Sequence, residues 1–463
     1  MRFDPAIRFR PRASSSLAVV AALCAAGLLA AWGTIALSGT KIGVALALAV
    51  VLGPAAAYGA VAVPLIFPFS LFTIAVPFDN LLAFHSFGTL TKLIGIMCGA
   101  SMLLWMVRAK QYVTPDRSLV AWLLFVLLAL CSFGWAEDPA RGTLDLATLA
   151  SLFVLLAVVS FMPISARLLR VVAATVVAGG VLAAIYGAYL FHRGGAAASA
   201  DAGRLVVQLG NQSIDPNHFA ASLILPSALI LVGLVESRGN LARVSLAVCG
   251  LAIATGLLLA ASRGGIVAVL AMYLYMLVRS RKRVVLGGIG VAAIALGLGA
   301  FSNIAHRFGE AAATGGAGRL GIWRVGLAAF KLHPFFGAGW GNFTLAYNQA
   351  YLSVPAFATM QIVEGAHWSI APHNNLVWVG VELGAVGVLV YLAAWWLSFR
   401  SLARVSTTGE LYPMRLAVES ALVGLFVAGL FLGTVTYKYV WLAFMLAALT
   451  RNAELCERRR TTS

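Results

Sequence analysis

The sequence predicts a helical protein that crosses a membrane many times, and three observations predict it. Hydrophobic residues make up 61% of the 463 residues and charged residues only 11%, whereas soluble domains carry roughly 25% charged residues. Many apolar runs approach the roughly 20 residues that a helix needs to cross a bilayer. The runs are long and rich in Ala, Leu and Val, not ten-residue segments of alternating polarity. Backbone groups in lipid must bond internally, which leaves helices or closed barrels, and the absence of alternation excludes the barrel.

Taken in order, the expected spans are 17–37, 42–60, 61–77, 91–107, 118–134, 144–162, 169–191, 216–235, 244–261, 264–278, 284–301, 375–397, 416–432 and 436–450. That is 14, and because several are short the expectation is 12 to 14 transmembrane helices. The N-terminus, with Arg2, Arg8, Arg10 and Arg12 before an apolar run from Leu17, has the outline of a signal peptide. It shows no clear small-x-small cleavage site and reads as a first membrane helix. Three regions result: N-terminal membrane helices over 1–301, a large loop over 302–374, and C-terminal membrane helices with a tail over 375–463.

The net charge of +17 is explained by cytoplasmic loops, which carry Lys and Arg, and no nucleic-acid partner is needed. With the N-terminus inside, the inner segments hold Arg108, Lys110 and Arg117; Arg167 and Arg170; Arg238 and Arg243; Arg279, Arg281, Lys282 and Arg283; Arg400, Arg404 and Arg415; and Arg451, Arg458, Arg459 and Arg460. The alternation holds at every turn and places both termini inside. All seven histidines (85, 192, 218, 306, 333, 367 and 373) then fall at the outer side or its membrane edge. The five cysteines give no disulfide framework and no metal-ligand spacing.

The large loop begins with a Gly/Ala-rich linker. A helix follows, with Leu320, Trp323, Leu327 and Phe330 at spacings of three and four, ending before Pro334. Gly337, Gly339 and Gly341 mark tight turns, and the aromatic stretch 343–370 suits a membrane interface.

Four places carry chemistry. Arg263, in Ser262-Arg263-Gly264-Gly265, lies between two apolar runs, where an arginine costs roughly 2.5–3.5 kcal/mol on insertion scales. It either tops a hairpin and reaches the headgroups, or binds an anion in a cavity. In 201–219, Asp215 before Pro216 suits a helix start, His218 shares its face three residues on, and Arg204 has no such structural explanation. Arg319 and Arg324 offer planar guanidinium forks suited to phosphate oxygens, or contact lipid headgroups; Lys331 is a solvated residue. His373, at the mouth of the helix at 375–397, has the ordinary pKa of a general base near neutral pH, or caps the helix. Glu382 lies two turns further in and needs a partner. No phosphate-cradling Gly-x-x-x-x-Gly-Lys, His-Glu-x-x-His or Gly-x-Ser-x-Gly pattern occurs.

Read together, these motifs resemble a known family. Ser262-Arg263-Gly264-Gly265, Gly318-Arg319 with Trp323, Pro334 followed by Gly337-x-Gly339-x-Gly341-Asn342-Phe343, and Pro372-His373-Asn374-Asn375 with Glu382-Leu383-Gly384 are similar to the O-antigen ligase family of bacterial membrane glycosyltransferases. The resemblance covers roughly 200–390. It implies a GT-C-like fold in the inner membrane, with a periplasmic active site in which one large periplasmic loop containing helices takes part. The implied donor is an undecaprenyl-diphosphate-linked glycan. The implied acceptor is the lipid A-core of lipopolysaccharide, with polymerases that extend a growing glycan and protein O-oligosaccharyltransferases as related activities.

The resemblance further implies catalysis with no metal, cofactor or nucleotide sugar. Arg263, Arg319 and Arg204, with Arg324 a fourth candidate, bind the diphosphate, and His373 takes the acceptor proton during an inverting attack. Asp215, His218 and Glu382 are secondary. Family members commonly have 12 helices. A transporter is the alternative of a different class; no inverted repeat or pair of broken helices in matching halves supports it.

Overall fold

The computed structural model describes residues 58–84, 88–193, 205–209, 212–297, 319–351, 353–354 and 370–462. Arg204, the first expected span, nearly all of the second and residues 355–369 of the aromatic stretch 343–370 lie outside the described residues. Among those described, eight helices are long and apolar enough to cross a membrane. The chain is therefore a polytopic helical membrane protein.

The helices are α1 (Phe69–Ala75), α2 (Leu90–Ala109), α3 (Arg117–Cys131), α4 (Pro139–Phe161), α5 (Ala166–His192), α6 (Pro216–Ser222), α7 (Ile224–Glu236), α8 (Asn240–Ala260), α9 (Arg263–Arg279), α10 (Arg283–Gly297), α11 (Arg319–Leu332), α12 (Phe343–Tyr351), α13 (Asn375–Ser401), α14 (Tyr412–Gly429) and α15 (Lys438–Thr462). Two short antiparallel hairpins interrupt them, β1 (Ala83–Phe84) with β2 (Gly88–Thr89), and β3 (Val207–Leu209) with β4 (Gln212–Ile214).

Most predicted spans have a helix at the expected place, and the departures have local causes. The span expected at 61–77 is broken: the chain turns at 64–68, and α1 then tightens into a 3-10 helix over Val76–Leu82. Pro64, Pro68 and Pro77 supply no backbone N–H for a continuous helix. The helix expected to end at 450 runs on to Thr462, where several of its polar residues find partners. Arg451 donates to the Thr114 carbonyl, Asn452 to the carbonyls of Ser160 and Met162, and Arg458 to Glu454 four residues back. Falling hydropathy there marks the end of lipid, not the end of the helix.

Helix ends sort into two groups. One end of the bundle is basic: Arg170 pairs with Glu410, Arg404 with Asp116, and Lys282 with Glu236, while Tyr412 donates to the Arg279 carbonyl. The opposite end gathers the 3-10 segment 76–82, both hairpins and the first residues of α6, α9, α11, α13 and α15. Between them the core is close-packed. At the crossing of α14 with α7 and α9, a Cβ on Gly424 would lie 2.9 Å from both Ile224 Cγ2 and Met272 Cβ, the small-residue contact typical of membrane helices.

One feature of the core positions the far end. α13 is not a single helix: Gly384 has φ 66°, and the backbone breaks there. The turn 334–339 docks onto the break. Ala385 and Val386 donate to the carbonyls of Pro334 and Phe335, and Ala338 and Gly339 donate to those of Val381 and Glu382. Gly337, Gly339 and Gly341 all have positive φ, as their turn requires. α11 then runs back beside α13. Its 14 residues cover about 20 Å at 1.5 Å per residue, and this returns Arg319 to the level of His373.

Candidate functional site

The site is built from helix N-termini. Asp215 opens α6: its Oδ1 accepts the backbone N–H of Asn217 (2.8 Å) and of His218 (3.2 Å), and Pro216 fills the first helical position. The capping role expected for Asp215 is therefore real. Asn217 extends the same turn sideways, accepting a 2.8 Å hydrogen bond from the Ser262 hydroxyl. Ser262 in turn caps α9 by accepting from the Gly265 N–H. Arg263, the first residue of α9 and half-buried, is thereby held beside the 215–218 turn.

His218 is fixed on two sides. Its ring stacks on Tyr437 at 3.9 Å with an 8° interplanar angle, and Nδ1 is 3.0 Å from the Tyr439 hydroxyl. The charges of Asp215, His373 and Arg319 all act on it. His373 sits in a left-handed backbone conformation (φ 49°), a strained state for a residue with a Cβ that the surroundings must enforce. The enforcement comes from the next two residues. Asn374 Oδ1 accepts the N–H groups of Leu376 and Val377, capping α13, while its amide donates to the Leu430 carbonyl. Asn375 is buried and bonds Tyr391, the Thr434 hydroxyl and the Thr434 N–H.

The His373 imidazole has its pKa lowered below 6.5. Burial is the largest cause and the Arg319 cation the second, with Asp215 opposing them. His373, Arg319, Asp215 and His218 therefore form one electrostatic cluster. Arg319 opens α11, so the residues collected here begin α6, α9, α11 and α13. Four helix N-termini and two guanidinium groups make a site suited to an anion. His373 adds a base kept neutral at pH 7.

Other predicted residues go elsewhere. Arg324 is exposed on α11; five residues from Arg319, it points from a different side of the helix. Glu382 is buried in the bundle, and its Oε1 accepts the Phe343 N–H at 3.0 Å, stapling the start of α12 to α13. It is a partner for the Gly-rich turn and not a member of the cluster.

The segment 430–437, between α14 and α15, is the part that sequence reasoning passed over. It touches His218 and residues adjoining Arg263 and His373. Phe431 lies against Gly264 and 6.4 Å from the Trp323 ring, Thr434 holds Asn375, and Tyr437 carries His218. Behind it, Lys438 forms a buried ion pair with Asp79 (2.7 Å) and donates to Thr89, and the Thr91 hydroxyl donates to the same carboxylate. The signal was present: Thr434-Val435-Thr436-Tyr437-Lys438-Tyr439 is a polar, aromatic break between two apolar runs.

Against curated proteins the chain gives no match. A family model does match. It is described as O-antigen ligase and covers residues 246–392, a stretch that holds Arg263, Arg319, His373, the Gly-rich turn and the kink of α13. Over that stretch the chain is similar to the O-antigen ligase family.

Proposed function

We propose that the chain transfers a glycan from undecaprenyl diphosphate to a hydroxyl of the lipid A-core of lipopolysaccharide, at the periplasmic face of the inner membrane. The convergence of Arg263, Arg319 and His373 at the starts of three helices carries this reading. The acceptor oxygen attacks the anomeric carbon, the bond from that carbon to the phosphate oxygen breaks, and the configuration inverts. The hydroxyl proton passes to the neutral His373 imidazole. The electron pair of the broken bond stays on undecaprenyl diphosphate, whose added charge Arg263 and Arg319 stabilise. Oriented cations that meet developing charge are worth about 10²–10³ in rate per donor.

Arg204, in the 201–219 loop, is proposed as a third cation on the diphosphate. Arg324, exposed on another side of α11, is the weakest of the four arginines for that role. The basic end of the bundle supports the orientation, since cytoplasmic loops are the ones enriched in Lys and Arg.

The test is reconstitution of the purified protein with lipid-linked glycan and lipid A-core. Transfer to lipid A-core is expected; a ladder of longer glycans formed without it would make the protein a polymerase instead. His373→Ala should abolish transfer while the protein still inserts and purifies as a folded species. Arg263→Lys should lose about 10-fold or more, because an ammonium lacks the planar fork. Unimpaired transfer by His373→Ala would remove the base assignment.

A further inference from the structure

Asp145 is the carboxylate that the cluster above does not use. It lies on α4, at the second position of the series Gly142, Asp145, Leu149, Leu152, Leu156, whose spacings of three and four place all five on one helix face. The other four are buried against the bundle. Asp145 is exposed, so the inward face at this level looks onto open space instead of neighbouring side chains. Among the described residues it has no hydrogen-bond or ion-pair partner. A carboxylate on the inward face of a membrane helix, unpaired and reachable from water, is where a polar ligand is expected.

Its surroundings say which ligand. α4 is docked by its first turns onto the Gly-rich segment: Asp138 N–H donates to Asn342 Oδ1, Asn342 returns a bond to the Asp138 carbonyl, and Gly142 lies against the Trp340 backbone. Trp340 is stacked at 5.8 Å and 18° on Trp378, which stays half-buried. The charge of Asp145 acts on Tyr437 and on Glu382, but His373 and His218 feel other groups. Asp145 therefore lies within electrostatic reach of the Tyr437 ring that carries His218. The half-buried Trp378 indole near an acceptor-only carboxylate suits a saccharide, which offers apolar ring faces and vicinal hydroxyl donors.

We propose that Asp145 is a saccharide-binding residue that holds the acceptor sugar by accepting hydrogen bonds from its hydroxyls. This rests on the transferase reading. Asp145 is a positioning residue here; it takes no proton.

The experiment is steady-state transfer with the reconstituted full chain, titrating lipid A-core at fixed donor and donor at fixed acceptor. Asp145→Asn should raise the acceptor KM about tenfold or more, as expected for the loss of a charge-assisted hydrogen bond, and leave donor KM and kcat within about threefold. Asp145→Glu should recover part of the acceptor KM. Asp145→Ser gives a second reading, and equal thermal melting of all variants establishes that each is folded. An unchanged acceptor KM overturns the proposal. So does a fall in kcat at unchanged acceptor KM, which would make Asp145 a proton-transfer group. If the wild-type protein transfers glycan to no acceptor, the transferase reading fails first, and the result is distinct from either Asp145 outcome.

Discussion

His373 works as a base only in its neutral form, so its neighbours set the acid limb of the reaction. Burial and the Arg319 cation both disfavour imidazolium, and the limb of kcat/KM is expected below pH 6.5. Activity falls as pH drops through the His373 pKa. Arg319→Gln removes a cation, raises that pKa and moves the limb to higher pH. Asp215→Asn removes the opposing carboxylate, lowers the pKa and moves the limb to lower pH. Measured pH profiles of the two variants should thus shift in opposite directions, and a shared direction would remove His373 as the titrating group. Residues of this kind were legible in the sequence because a charge between apolar runs stands out whatever the fold. Their partners were not: Thr434 meets Asn375 59 positions away and Tyr439 meets His218 221 positions away, pairings that no local spacing announces.

Elements place these residues, and the decisive one is the break in α13. A Cβ on Gly384 would fall on the backbone of Phe335, and its φ of 66° disfavours any other residue. Gly384→Ala should therefore displace the 334–339 turn, at a cost of about 1–3 kcal/mol from the strained conformation alone. Because α11 is anchored by that turn, Arg319 moves with it, and transfer should fall together with the melting temperature. Gly99→Ala is the control. A Cβ there meets nothing within 4 Å inside α2, and the exchange favours the helix by up to about 1 kcal/mol. Melting in detergent that lowers both variants equally would mean the kink is not an anchor. The turn itself was legible as three alternating glycines, and α11 as an apolar repeat. That the turn would dock against a helix 45 residues further on was not, since Gly384 looks like any glycine in a membrane span. The fracture of the span at 61–77 was hidden likewise: prolines inside an apolar run do not lower its hydropathy enough to show.

At the scale of the whole molecule, the sorting of helix ends is the strongest agreement between charge pattern and structure. The arginines and lysines assigned to inner loops meet at one end through Arg170–Glu410, Arg404–Asp116 and Lys282–Glu236, while the anion-suited cluster is assembled at the other. Neither fact depends on the other, yet a transferase that meets its lipid-linked donor outside and folds under the positive-inside rule needs both. The sidedness is directly measurable. In a background with the five cysteines replaced, a single cysteine at Gln349, exposed on α12 beside Glu137, should react with a membrane-impermeant maleimide in cells with a permeabilised outer membrane. A cysteine at Thr407, exposed in the connection before α14, should react only after the inner membrane is opened. Labelling in the reverse order would place the cluster on the cytoplasmic side, where a donor already flipped outward is out of reach, and the proposed reaction would have to be abandoned even if every residue of the site were in its place.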